Sequence, residues 1–217
     1  MPGYSVVLGM YAFGLEEDGH YAQAEDTGRN ALTLEPLDCW AHHAVALEMV
    51  DASALLWRLH LCNVDVGDRW KELAQVWRNH ADGKTYPFND WHAAMGFLGA
   101  GLDSELNALV MRMQQSAADS PCAEWIDRIG LPLVQGFTAF WHGNDGKAVE
   151  LLLPVRHFCG VFGGSHAQRD IIDLTLIEAA NRGGAQDIHQ SLVNERLAQR
   201  PYSRMTAGFL SPGQSSA

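Results

Sequence analysis

Ten histidines, four cysteines and a scatter of carboxylates carry most of the chemistry this chain has to offer, and their spacing decides what kind. Two ligands share a helix face when they stand three or four residues apart. His42 and His43 are adjacent and would point about 100° apart on a helix. Asp90 and His92, two residues apart, also fall on different faces. No His-Glu-x-x-His run occurs, so no metal site is expected. Cys39, Cys62, Cys122 and Cys159 contain no Cys-x-x-Cys pair, which removes the common zinc and redox spacings and leaves small, reduced core residues as the expectation. There is no Gly-x-Ser-x-Gly nucleophile elbow and no Gly-x-Gly-x-x-Gly loop, and Gly160-Val-Phe-Gly-Gly lacks the dinucleotide spacing. Neither a catalytic residue nor a cofactor is assigned.

Two polar clusters remain. The first follows Pro87: Asn89, Asp90, Trp91 and His92. Asn89 or Asp90 suits the cap of a following helix, with Trp91 packing and His92 bonding across to a neighbour. Read functionally, the same residues line a groove. The second cluster is Ser165, His166, Gln168, Arg169 and Asp170, after a glycine pair. Ser165 suits an N-cap, with Gln168 three residues later as in a capping box. Arg169 and Asp170 can reach into a groove or pair with an adjacent element. The glycines either relieve strain in a tight turn or open the helix end to an anion.

The elements that must position these clusters read as helices. Val66, Trp70, Leu73, Ala74 and Trp77 share one helical face; so do Leu106, Leu109, Val110 and Met113; Ile171, Leu174, Thr175, Ile177, Glu178 and Asn181 do so less cleanly. No alternating strand pattern of useful length is present. Breaks rich in glycine, asparagine or aspartate recur at 17–19, 63–67, 83–86, 99–101, 143–146, 160–164 and 182–184. They delimit about ten helices of ~10–20 residues, and short breaks make neighbours antiparallel. The composition is that of a folded chain, 47% hydrophobic and 19% charged. A net charge of −11 argues against nucleic acid or an anionic membrane as partner. The start lacks a basic, apolar leader pattern and no apolar run is long enough to span a bilayer, so a cytoplasmic location is expected.

The hairpins carry traces of a 34-residue helix–turn–helix repeat. Ala12 takes the small position of a first helix; Ala24 and Ala31, seven apart, take those of the second, and Pro36 stops it. A second match begins near Ile129, with Gly136 and Ala148 at small positions, a turn at Asn144-Asp145-Gly146, and Leu152 and Val155 on the packing face. A weaker one ends at Pro201. The expected architecture is all-α: an α-solenoid of about five antiparallel hairpins in a right-handed superhelical stack, whose curvature leaves a concave groove. Residues 1–200 form this single domain, and 201–217 a C-terminal extension, frayed from about 211.

Longer stretches add a family resemblance. Gly9-Met-Tyr-Ala-Phe-Gly-Leu-Glu-Glu, Tyr21-Ala-Gln-Ala-Glu and Pro36-Leu-Asp-Cys-Trp-Ala-His-His-Ala-Val-Ala, with Val50-Asp-Ala-Ser-Ala-Leu-Leu-Trp-Arg-Leu, Val66-Gly-Asp-Arg-Trp, Phe88-Asn-Asp-Trp-His-Ala and Gly163-Gly-Ser-His-Ala-Gln-Arg-Asp, resemble the tetratricopeptide repeat protein 38 family, also described as StaR-like. The chain resembles a shortened member: residues 44–50 join two segments that the family keeps apart. The resemblance implies a cytoplasmic helical-repeat protein without a settled activity. The function expected is an interaction scaffold without catalysis, holding a peptide or partner helix in its groove. The alternative is an enzyme or accessory protein of secondary metabolism with a polar site around Asp90, His92, His166 and Arg169.

Overall fold

The computed structural model describes residues 4–17, 20–34, 39–119, 122–201 and 206. Among them every regular element is helical. In chain order these are α1 (Tyr4–Glu17), α2 (Tyr21–Leu34), α3 (Cys39–Leu61), α4 (Arg69–Trp77), α5 (Pro87–Gly99), α6 (Asp103–Asp119), α7 (Ala123–Trp125), a π-helical turn (Ile126–Gly130), α8 (Leu131–Trp141), α9 (Asp145–Val155), a 3-10 turn (Cys159–Phe162), α10 (His166–Arg182) and α11 (Gln186–Gln199). Of these, none among the described residues is long and apolar enough to cross a membrane. α3 is continuous through residues 44–50. The tail from 211 lies outside the described residues.

The periodic sets form the core. Val66, Trp70, Leu73, Ala74 and Trp77 are buried, as are Leu106, Leu109 and Met113, with Val110 partly covered. α10 reads poorly as an amphipathic helix because Ile171, Ile172, Leu174, Leu176, Ile177, Ala179 and Ala180 bury it around most of its circumference. Two of the small positions in the N-terminal repeat, Ala12 and Ala31, are buried. In the second match a side chain on Gly136 would meet Leu152 Cδ2 at 2.5 Å, so α8 and α9 cross closely there and a larger residue would displace Leu152. The cysteines depart from the expectation in one respect: Cys159 is buried, but Cys62 is exposed and Cys122 intermediate, and none of the three is in a disulfide. The side chain of Cys39 lies outside the described residues.

The π-helical turn has a local cause. Pro132 has no N–H to offer the carbonyl four residues back, and its ring crowds that turn. Leu131 N–H instead reaches Ile126 O, which widens the helix by one residue just before the proline.

α1 and α2 pack on each other and on α3; α3 packs on α5, α5 on α8, α8 on α9, and α9 on α10. α10 then returns to α3. Trp57 Nε1 of α3 donates to Thr175 Oγ1 of α10 at 2.8 Å, across 118 residues. Such a contact is more than the nearest-neighbour packing of a simple stack. The space between α3, α5, α8 and α10 is filled with rings. Trp57 and Phe137 lie 4.8 Å apart, Trp91 and Phe137 5.2 Å, centroid to centroid, and all three are fully buried. On the outer side Trp77 Nε1 donates to Ser53 Oγ at 2.9 Å, joining α4 to α3.

Candidate functional site

α5 begins one turn earlier than its polar residues suggest. Pro87 is its first residue, preceded by extended Tyr86, and no side chain caps it. Proline is pre-set for that place, since its φ is already helical and its missing N–H would have no partner there. Asn89 and Asp90 therefore sit inside the first turn rather than at the cap. Asp90 Oδ1 accepts the Gly83 N–H at 3.0 Å and pins the preceding loop. Its other oxygen is buried and has no hydrogen-bond partner among the described residues. Burial pushes this carboxyl up to about 7, with the Gly83 bond opposing and Asp82 reinforcing the rise.

His92 bonds its own helix rather than a neighbour. Its Nδ1 lies 2.8 Å from Phe88 O, so Nδ1–H donates and Nε2 is left as a buried acceptor with no partner among the described residues. Complete burial drives its pKa down to about 3, against the Phe88 bond and with help from the charge of Arg58. Trp91 is enclosed by Phe88, His92 and Phe137. Asn89 is half-buried. Asp90, Trp91 and His92 are thus interior groups, not the lining of a groove.

The start of α10 follows the sequence closely. Ser165 Oγ accepts the Gln168 N–H at 3.1 Å, and Gln168 Oε1 accepts the Ser165 N–H at 2.7 Å. Gln168 Nε2 also donates to Asp51 Oδ1 of α3 at 2.9 Å. Gly163 and Gly164 adopt φ of 104° and 76°, in the region that favours glycine. They also need their missing side chains: a Cβ would lie 2.1 Å from the Tyr86 hydroxyl at Gly163, and 2.3 Å from the Phe88 ring at Gly164. The two polar clusters therefore meet back to back, with Tyr86 and Phe88 seated on the glycines.

Outward from this seam, an open polar cleft of about 160 Å³ is lined by Arg156, His166, Arg169, Asp170, Asp173 and Arg200, with Cys159 at its edge. Asp170 receives Arg196 through two bonds of 2.6 and 2.8 Å, and Arg200 at 3.1 Å. Arg58, which donates to the Ala167 carbonyl, stands 4.0 Å from Asp170. Arg156 binds Asp173 at 2.7 Å and Glu195 through two 3.0 Å bonds. Burial works against its charge, but those bonds outweigh burial and raise its pKa. Arg169 Nη1 donates to the carbonyls of Gly163, at 2.8 Å, and Gly164. The Cys159 thiol donates to Val155 O at 3.1 Å; burial, then Asp173, pushes it up to about 12, which leaves it a poor nucleophile.

Of the nine residues picked from the sequence, His166, Arg169 and Asp170 line this cleft, Ser165 and Gln168 build the helix end beside it, and Asn89, Asp90, Trp91 and His92 lie away from it. Asp90, His92, His166 and Arg169 do not share one pocket. No group of three or more histidines, cysteines and acids among the described residues is placed to hold a metal ion. Sequence reasoning passed over Arg58, Arg156, Arg196 and Arg200. A signal existed in the four-residue spacing of Arg196 and Arg200 and the three-residue spacing of Asp170 and Asp173. No family model matches the chain, and no solved structure matches it.

Proposed function

We propose that this chain is a cytoplasmic helical-hairpin scaffold of the tetratricopeptide repeat protein 38 type, which binds a peptide segment of a partner protein and performs no catalysis. The observation that carries the reading is the contrast in side-chain exposure. Asp90, His92 and Cys159, whose proton affinities are strongly displaced by burial, are bonded to backbone inside the protein, and Arg156, displaced by its carboxylate partners, is held as a fixed cation. The polar cleft beside α10 is open, and its arginines are held in place by carboxylates and carbonyls. Fixed donors around an open cleft favour recognition, because little ordering is left to be done on binding. With the centre between α3, α5, α8 and α10 filled by rings, this cleft is the favoured seat for the partner.

The test is capture by the full-length chain. A partner retained by the wild type and by a Lys147→Gln control, but reduced about tenfold by Arg169→Gln, is the expected result, a change worth ~1.4 kcal/mol. A folded wild-type chain that retains no protein above background would overturn the scaffold reading.

A further inference from the structure

The geometry points to a specific ligand group for this cleft: a carboxylate of the bound peptide, seated on the outer edge of Arg169. The inference rests on the scaffold reading for the word peptide; the carboxylate itself rests on the cleft.

A guanidinium carries five N–H donors in a planar fork. Arg169 spends its Nη1 hydrogens on the carbonyls of Gly163 and Gly164, which fixes the plane of the fork. Among the described residues nothing takes its Nε and Nη2 edge, and that edge matches the two oxygens of a carboxylate. The other charges nearby are already matched. Asp170 is held by Arg196 and Arg200, and Asp173 by Arg156, which Glu195 also binds. Among the described residues Arg169 donates to backbone carbonyls and has no carboxylate within ion-pair distance, unlike Arg156 and Arg200 of the same cleft. His166 and Arg200 line the same space and add donors.

Charge sets the ligand's valence. Asp170 and Asp173 border the cleft, and the chain as a whole carries −11. Each further negative charge on a ligand would meet that field, so a single carboxylate is favoured over a phosphate dianion or an acidic run.

The experiment titrates the full-length, ¹⁵N-labelled chain with three probes: N-acetyl tetra-alanine as its free acid, the same peptide as its C-terminal amide, and inorganic phosphate. The free acid should shift the Arg169 Nε–H resonance saturably, and the amide should leave it in place. Arg169→Gln should weaken the free acid about tenfold. Arg200→Gln, a change at a half-exposed side chain, should weaken it less and keeps the test alive if the first variant unfolds. Equal shifts from acid and amide would overturn the proposal. So would tighter binding of phosphate, which would make the cleft a site for an adventitious or phosphoryl anion, and so would unchanged affinity in both variants. If the captured partner is retained by Arg169→Gln, the carboxylate assignment falls and the scaffold stands. If the free acid binds but no partner is captured, the reverse holds.

Discussion

The starts of α5 and α10 offer the same kind of residues and end in opposite environments. Each follows a loop, each carries a histidine, an acid and an amide in its first turns, and the two touch through Tyr86 and Phe88 on Gly163 and Gly164. Yet α5 is buried from Phe88 through Leu98 save Asn89, while Ser165, His166 and Ala167 stand exposed. The difference lies in the residues between the polar ones. Around Asp90 and His92 stand Phe88, Trp91, Ala93, Ala94 and Met95, which draw the whole turn inward. Around His166 and Arg169 stand glycine, serine and alanine, which cannot. A dense polar cluster with aromatic neighbours belongs to the core; one set in small residues stays at the surface.

The largest effect that could break this comparison is at Trp91. Trp91→Ala should lower stability by about 3–5 kcal/mol, the usual cost of removing a large buried ring. For a chain of this size that is a fall in Tm on the order of 10 °C or more. A melt followed by circular dichroism checks it. A loss of only a degree or two would mean that the start of α5 is as open as that of α10.

The next effect is one of pH, and it sharpens the comparison because two interior groups act in opposite directions. The Asp90 carboxyl titrates near 7 in the folded chain, above its ordinary value of 3.8. Its contribution is fully present below about pH 3.8 and is lost as pH rises toward 7. His92 titrates near 3 in the folded chain, below 6.5. Its contribution is present above 6.5 and lost as pH falls toward 3. Between about pH 4 and 6.5 the two slopes oppose. Asp90→Asn keeps an acceptor for the Gly83 N–H and removes one slope, so stability should then climb by a few kcal/mol over that interval, ~1.4 per unit of displaced pKa. His92→Gln keeps a donor for Phe88 O and should give the opposite trend. Urea midpoints at four pH values measure both. Profiles of both variants that superimpose on the wild type would show that neither group is in the interior.

Much of this was legible in the chain, and the boundary is physical. The face set by Trp70, Leu73, Ala74 and Trp77, the Ser165–Gln168 cap, and the Gly136 crossing all depend on residues within one helix or one hairpin. The burial of Asp90 and His92 does not. Spacing says that they lie on different faces of α5, but α5 is packed by α3, α4, α6 and α8 together, so both faces are inside. The early start of α5 turned on Pro87 outranking Asn89 and Asp90 at the helix end. The cleft is lined by residues of α10 with Arg156 beyond α9 and Arg200 beyond α11, and its Asp170 is held by Arg196 of α11 and approached by Arg58 of α3, elements far apart in sequence that the packing of α10 on α3, α9 and α11 brings together.

The smallest effect concerns the cap itself. Ser165→Ala removes the acceptor for the Gln168 N–H, and such a cap is worth about 1 kcal/mol. Gln168 retains its bonds to the Ser165 N–H and to Asp51, so the helix end stays anchored to α3. Arg169 holds on to the glycine carbonyls and not to Ser165, so its free edge should not move. The expected outcome is a Tm lowered by about 2–4 °C with the carboxylate titration unchanged. A loss as large as that of Trp91→Ala would make the start of α10 part of the core and remove the contrast between the two helix starts. A normal melt with weakened carboxylate binding would place Ser165 in the cleft, on the ligand side of the cap.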